Sequence, residues 1–334
     1  MMSRKNFGAI AVAAVTACVT TVGIARADGV AEPYRDAYRA AFKDQRVVFV
    51  PVAGSVDLVK GWMAGLHREL DPLGAKVEIR DPNYDTNAGA QAITSLISEK
   101  PAVIIIQNPD VSSYARLAKQ AEAAGIHVVQ INMASNYVSD SYVGADWAEI
   151  GEMGANAMVK ACEGKSGKVA VIQGALSAAT SSYQIKAIRD VLAKHPEMKI
   201  VSDQPADWDP SKAKAIMSTV LKQNPDLCAA FGFWDGMDLG AAAAIAEAGL
   251  TGKVFLGTSG GGEMTACKRV KDGTFDLDVS YDVPNQAAQL AGSIKYLLSS
   301  KIAVGLAKGM SYTTPVLITK ENASDPATCW KIAQ

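Results

Sequence analysis

Short apolar runs alternate with longer amphipathic stretches along the chain from residue 46 onward. The runs are rich in β-branched residues, which is typical of strands buried on both faces of a parallel sheet. We predict such strands at 46–52, 76–80, 102–107, 127–132, 168–174, 198–202, 228–233 and 253–258. The stretches between them repeat apolar residues at three- and four-residue spacing, which predicts helices, among them 56–70, 88–99, 112–124 and 150–161.

This alternation predicts the α/β class, in which helices cover both faces of a parallel sheet. The strands form two series, 46–132 and 168–257, and each series is long enough for a doubly wound sheet of its own. We therefore predict two doubly wound parallel-sheet lobes. Ligands of such sheets bind beyond the carboxyl ends of the strands, so the candidate binding segments are 52–57, 108–110, 132–134, 174–180, 208, 234–235 and 258–261.

Composition excludes some function classes. The chain has 334 residues, is 49% hydrophobic and carries a formal net charge of −1. These values are typical of a globular protein, and the sequence has no basic field that would hold the phosphates of a nucleic acid. We expect no nucleic-acid partner.

The first residues resemble an export signal. Arg4 and Lys5 precede an apolar stretch at 7–23, and Ala25-Arg26-Ala27 matches a cleavage site. We predict a signal peptide at 1–27, cleavage near Ala27 and export to the periplasm. A retained anchor is less favoured because the stretch is shorter than about 20 residues and contains threonines. Cys18 ends a segment that resembles a lipobox, so a lipid anchor there stays open.

Four cysteines follow the predicted leader, an even number in a compartment where disulfides persist. They are Cys162, Cys228, Cys267 and Cys329. Structural disulfides and buried thiols both fit this spacing, and the pairing stays open. Because no CxxC motif is present, we expect no zinc site, and we expect no other metal or cofactor.

Residues 257–261, GTSGG, match the G-x-S-x-G pattern of hydrolases, with Ser259 as the candidate nucleophile. In those enzymes the catalytic histidine follows the serine, whereas all three histidines of this chain precede Ser259. A flexible glycine loop beside a ligand is the favoured interpretation. A secreted serine hydrolase is the less favoured alternative.

Tryptophans are more informative about the binding site than Ser259 is. Trp147, Trp208 and Trp234 fall in or beside predicted strand-end loops, where an indole face can stack on a ring while polar neighbours bind its hydroxyls. Trp62 and Trp330 lie in helical and terminal contexts and are interpreted as packing residues. Asp209, which precedes Pro210, is interpreted as a helix cap.

The chain resembles the periplasmic sugar-binding proteins of the ribose-binding type over nearly all of its length after the leader. The resemblance rests on IIIQNPD, HVVQINM with SYVGAD, QPADWD, FWDGMDLGAAAAIAEAG and KVFLGTSGGGEM, in that order. It implies a type I periplasmic binding fold with three crossovers, an N-terminal lobe of 44–145 plus 283–311 and a C-terminal lobe of 146–282 plus 312–334. It also implies capture of a solute by hinge closure and delivery to the membrane permease of an ABC importer. We expect a monomer.

The family's ligand contacts carry over to twelve positions: Ser55, Asp57, Leu58, Asn132, Met133, Asp146, Gln184, Trp208, Trp234, Asp235, Ser259 and Asp282. An aspartate and an arginine of the family pattern are replaced by Asn132 and Met133, and a second arginine is replaced by Gln184. These replacements favour a small neutral polar solute. A sugar or polyol is favoured, and a small aromatic or heterocyclic solute is an alternative. Presentation of the solute to a chemoreceptor or sensor kinase is a further one.

Overall fold

The structure is a computed structural model, and it describes residues 32–331. The predicted signal peptide, 1–27, and Cys18 lie outside the described residues. Within residues 32–331, no helix has both the length and the apolar character needed to cross a membrane. In the same part of the chain, His, Cys, Asp and Glu side chains form no cluster suited to a metal ion.

Helices and strands alternate through most of the chain, and each of the eight predicted strands is present. The first series consists of α1 (Pro33–Phe42), β1 (Arg46–Val50), α2 (Asp57–Leu70), β2 (Lys76–Ile79), α3 (Thr86–Glu99), β3 (Val103–Ile106), α4 (Ala115–Ala123), β4 (His127–Ile131) and β5 (Ser141–Ala145). A single 3-10 turn at Asp71–Leu73 follows α2. Beyond this series, the chain moves to the second sheet.

The second series consists of α5 (Trp147–Ala161), β6 (Lys168–Gln173), α6 (Ala179–Leu192), β7 (Lys199–Pro205), α7 (Pro210–Gln223), β8 (Ala229–Gly232), α8 (Asp235–Glu247), β9 (Phe255–Gly260), α9 (Met264–Lys271) and β10 (Leu277–Ser280). Three further elements follow, α10 (Val283–Ser300), β11 (Gly309–Thr313) and β12 (Val316–Ile318).

These strands form two six-stranded sheets, ordered β11-β5-β4-β3-β1-β2 and β12-β10-β9-β8-β6-β7. All pairs in them are parallel except β10 with β12. The chain passes between the sheets three times, after β5, after β10 and after β11. The predicted fold class, two parallel-sheet α/β lobes, is confirmed. The first lobe is here the first sheet with the helices packed on it, and the second lobe is the second sheet with its helices.

Helix α10 returns the chain to the first lobe. It packs on α2 so closely that a Cβ added at Gly65 would lie 2.4 Å from the Cβ of Ala287. Trp62, also on α2, is fully buried there and donates to the Gln286 side chain at 3.0 Å. The exact limits of the lobes, 44–145 plus 283–311 and 146–282 plus 312–334, stay a prediction.

Four helices begin at aspartates whose carboxylates accept backbone N–H groups of the first turn. They are α3 with Asp85, α5 with Asp146, α7 with Asp209 and α10 with Asp282. Such caps satisfy donors that have no partner within the helix. The interpretation of Asp209 as a cap is confirmed.

All four cysteines of the second lobe are paired, Cys162 with Cys228 and Cys267 with Cys329. The second bond ties α9 to the segment that follows β12. Disulfides of this kind persist in an oxidising compartment, which agrees with the predicted export.

Candidate functional site

A cavity of about 270 Å³ lies between the two lobes, at the carboxyl ends of the strands of both sheets. We call it the interlobe cavity. First-lobe residues that line it include Leu58, Tyr84, Gln107, Asn132 and Met133, and second-lobe residues include Thr180, Asp207, Trp208, Phe233 and Trp234. Trp147 and Tyr281, at two of the passages between lobes, also line it. A molecule in this cavity contacts both lobes.

Trp208 is held in the cavity by an unusual turn after β7. Asp207 and Trp208 both have left-handed backbone conformations, with φ of +50° and +63°. A conformation of this kind is unfavourable for a residue with a large side chain and is maintained by its surroundings. Gly174 provides the space for the indole ring, because a Cβ there would lie 1.9 Å from it.

Trp234 enters the cavity from the start of α8. It is the N-cap residue of that helix, and its extended backbone directs the chain out of β8. A Cβ added at Gly236 would lie 2.5 Å from the indole ring, so this glycine makes room for the second tryptophan. Two indole faces thus belong to the second-lobe wall.

Asn132 supplies a polar group from the first lobe. It follows β4 with φ of +62°, and its buried Oδ1 has no hydrogen-bond partner among residues 32–331. The Oγ1 of Thr180, which lines the second-lobe wall, is buried and unpartnered in the same part of the chain. Buried polar atoms are normally paired, so these two atoms are suited to bind a polar ligand.

The cavity is nearly free of charge. Among the described residues that line it, none is Lys, Arg or His, and Asp207 is the one carboxylate. Its Oδ2 already accepts a hydrogen bond from Lys212 at 2.9 Å. Because an unpaired ionic ligand would lose hydration without gaining a counter-charge, the cavity favours a neutral ligand.

Five of the twelve predicted contact residues line the cavity: Leu58, Asn132, Met133, Trp208 and Trp234. The other seven lie elsewhere. Ser55 is exposed, and Asp57 forms an ion pair with Lys60 at 2.8 Å. Asp146 caps α5, and Asp282 caps α10.

Gln184 and Ser259 lie behind the cavity wall. Gln184 is fully buried on α6, where its Nε2 donates to the Thr180 carbonyl at 3.2 Å. Ser259 is fully buried on β9 and is bonded to the Tyr281 hydroxyl at 2.9 Å. The side-chain hydrogen bonds of the three histidines are to other residues, Asp71, Asp140 and Glu197. Thus no histidine is placed to activate Ser259.

Asp235 is buried directly behind Trp234. Its Oδ2 accepts from Arg269 at 2.7 Å. Burial raises the pKa of Asp235, and Glu263 adds to this effect, while Arg269 opposes it. The four predicted residues Asn132, Trp208, Trp234 and Asp235 therefore lie around one region, but Asp235 supports the wall and does not line it.

Two more carboxyls are buried in the same lobe. Asp238 accepts from the Thr258 hydroxyl at 2.5 Å, and neither oxygen of Asp278 has a partner among residues 32–331. Burial raises the pKa of both groups well above its usual range. These carboxyls favour the protonated form more strongly than exposed aspartates do.

Sequence reasoning missed several lining residues. Tyr84, in the loop after β2, and Thr86, the first residue of α3, line the cavity, and this strand end was not among the candidate segments. Gln107 ends a predicted strand, and its Oε1 accepts from the Val52 N–H at 3.0 Å. The turn residues Asp81-Pro82-Asn83 were the available signal for the β2 loop.

Comparison with known proteins gives a consistent result. The sequence model of the periplasmic binding protein domain matches residues 47–302. The D-allose-binding periplasmic protein of Escherichia coli is 34% identical over 122 residues, which are 36% of this chain and 39% of that protein. The D-apiose import binding protein of Actinobacillus succinogenes is 26% identical over 204 residues, 59% of this chain and 64% of that protein. The match thus spans less than two thirds of either relative.

Solved structures share the fold. A solute-binding protein of Agrobacterium vitis, bound with α-D-tagatopyranose, has a TM-score of 0.77 at 21% identity, covering 85% of this chain and 98% of that one. The Caulobacter myo-inositol binding protein has a TM-score of 0.75 at 24% identity, covering 84% and 95%. With two lobes, three crossings and a family match over 47–302, the chain belongs to the periplasmic binding protein family, and the resemblance to its ribose-binding type is confirmed.

Proposed function

We propose that this protein is the solute-binding component of an ABC importer. It works in the periplasm as a monomer and captures a small neutral polar solute, with a sugar or polyol favoured. The observation that carries the proposal is the interlobe cavity, whose lining includes two tryptophans of the second lobe and Asn132 of the first, with the Asn132 Oδ1 unpartnered among residues 32–331. Its walls fit a ring that stacks on one side and forms hydrogen bonds on the other.

Capture works by closure of the lobes. A ligand shifts a conformational equilibrium only through contacts that differ between the two states. A solute that touches Trp234 and Asn132 at once gains its full set of contacts only when the lobes are together. The membrane permease then recognises the closed shape and receives the solute.

The choice of a sugar or polyol rests on the nearly uncharged cavity and on the sugars for which the relatives are named. The two relatives above are named for D-allose and D-apiose, and a third relative, from Bacillus subtilis, is named as a ribose import binding protein. The number of aromatic side chains also favours a second candidate, a small aromatic or heterocyclic solute. Both candidates use the same clamp.

A thermal-shift screen, followed by calorimetric titration, tests the proposal. The panel contains D-ribose, D-allose, D-apiose, myo-inositol and a set of neutral heterocycles. A bound solute raises the melting temperature by mass action. We expect a sugar or polyol to give the largest shift in melting temperature. Trp234→Ala should lower the affinity for that solute by about 10-fold or more, because aromatic anchors are common hot spots.

Tyr296→Ala is the matched control, because Tyr296 is an exposed aromatic residue on α10, outside the cavity. It should bind with wild-type affinity. The proposal is wrong if no member of the panel binds, or if Trp234→Ala folds normally and retains full affinity for the solute.

A further inference from the structure

Trp147 lines two cavities. The second has a volume of about 380 Å³, and we call it the hinge cavity. Its walls come from both lobes, because Tyr183 belongs to α6, while Tyr142 and Tyr312 belong to β5 and β11 of the first sheet. None of these tyrosines lines the interlobe cavity, so the two cavities have largely separate walls.

Two aromatic residues of the hinge cavity, Tyr142 and Trp147, are held in place by hydrogen bonds. The rings of Tyr142 and Tyr312 lie 5.6 Å apart, between centroids. The Tyr142 hydroxyl donates to the Asn132 carbonyl at 2.9 Å, and Trp147 Nε1 donates to the same oxygen at 3.1 Å. These bonds fix the two rings relative to the backbone, so little order would be lost when a ligand binds.

Asp146 is the one carboxylate among the described residues that line the hinge cavity, and it is exposed. Asp146, one of the contacts predicted from the resemblance, lines this cavity and not the interlobe cavity. Its Oδ1 accepts the N–H groups of Ala148 and Glu149, and no hydrogen bond of its Oδ2 is formed within the described chain. Among the described residues that line the hinge cavity, none is Lys, Arg or His.

A cation already lies against a fourth tyrosine of the hinge cavity, Tyr137. The Lys308 ammonium is 5.3 Å from the ring centroid of Tyr137, a further wall residue. Its charge is balanced by Glu122, whose Oε2 is 3.2 Å from Lys308 Nζ. The ring face of Tyr137 therefore accepts a positive charge in this wall.

From this combination we propose that the hinge cavity is a second ligand site, which takes a small organic cation with an apolar body. Tyrosine and tryptophan faces attract ammonium groups through the ring quadrupole. Asp146 supplies the counter-charge, and Met310 with the ring edges supplies apolar contact. The site does not depend on the proposed function of the interlobe cavity.

Choline and its neutral carbon analogue, 3,3-dimethylbutan-1-ol, are the probes for a calorimetric test at constant ionic strength. We expect choline to bind the wild-type protein at least about fivefold more tightly than the analogue, since cation–π contacts and one carboxylate act only on the charged probe. Asp146→Asn should lower the affinity for choline about threefold or more and leave the affinity for the analogue unchanged. Asparagine caps helices as well as aspartate does, so this variant keeps the fold.

Tyr312→Leu should also lower the affinity for choline. Tyr296 is an exposed residue of α10 outside this cavity, so Tyr296→Leu should leave that affinity unchanged. The inference is overturned if choline does not bind, if the two probes bind equally, or if Asp146→Asn has no effect. Loss of choline binding in Trp234→Ala would also overturn it, because the cation would then occupy the interlobe cavity. Failure of the sugar panel has no bearing on these outcomes.

Discussion

Gly174 offers a way to displace one cavity wall without removing any polar group. It follows β6, and a Cβ added there would lie 1.9 Å from the nearest atom of the Trp208 ring and 2.2 Å from two others. Non-bonded carbon atoms rest at about 3.5–4.0 Å. The substitution Gly174→Ala therefore forces the ring, or the end of the strand, to move by about 1.5–2 Å.

We expect Gly174→Ala to lower solute affinity by about 10- to 100-fold, because displacing an aromatic anchor costs about 1.4–2.8 kcal/mol. The backbone of Gly174 is not left-handed, so alanine fits without backbone strain. The assay is calorimetric titration with the solute that gives the largest thermal shift, with circular dichroism to check folding.

Gly292→Ala is the matched control, since a Cβ on this exposed residue of α10 meets no atom within 4 Å. It should leave affinity unchanged and raise stability slightly. Wild-type affinity in Gly174→Ala, or an equal loss in Gly292→Ala, would refute the assignment of Trp208 to the binding wall.

Three further predictions concern the second lobe. Burial raises the pKa of Asp278 well above 3.8. Above pH 3.8 the folded chain therefore binds more protons than the unfolded chain, so the free energy of unfolding falls as the pH rises. Asp278→Asn should reduce this fall, as measured by urea unfolding at about pH 5 and about pH 8. Replacing Cys267 and Cys329 by alanine should lower the free energy of unfolding by about 4 kcal/mol, since the bond closes a loop with a sequence separation of 62; equal urea midpoints would contradict this. Ser259→Ala should cost about 1 kcal/mol by removing the hydrogen bond to Tyr281, and ester turnover that the wild type shows and this variant loses would revive the hydrolase alternative.

Much of the fold follows from periodicity alone. The helix predicted at 56–70 is α2, Asp57–Leu70, and the strand predicted at 127–132 is β4, His127–Ile131. The helix predicted at 112–124 begins later, at Ala115, because Asp110 accepts the backbone N–H groups of Ser112 and Ser113 and forms a turn first.

Four strands escaped prediction, the interior strands β5 and β10 and the edge strands β11 and β12. β11, Gly309–Thr313, is mostly exposed and contains no apolar run, because it forms the edge of its sheet. β12 has three residues and pairs antiparallel with β10. Such strands are defined by their partners in the sheet, which local sequence does not reveal.

The site was predictable where a residue's position in the fold decides its role. Trp208 and Trp234 follow strands, and both line the cavity. Asp235 is different, because its partner Arg269 is 34 positions away in the sequence and becomes a neighbour only when the second lobe folds. Gln184 likewise lies in the contact between α5 and α6, where Gly151 approaches its backbone.

A crystal structure of the protein with its solute bound tests the central claim most directly. We expect the solute to lie in the interlobe cavity, stacked on Trp208 or Trp234 and hydrogen-bonded to the Asn132 side chain, with contacts to both lobes. A solute bound outside this cavity, or one that touches a single lobe, would contradict it.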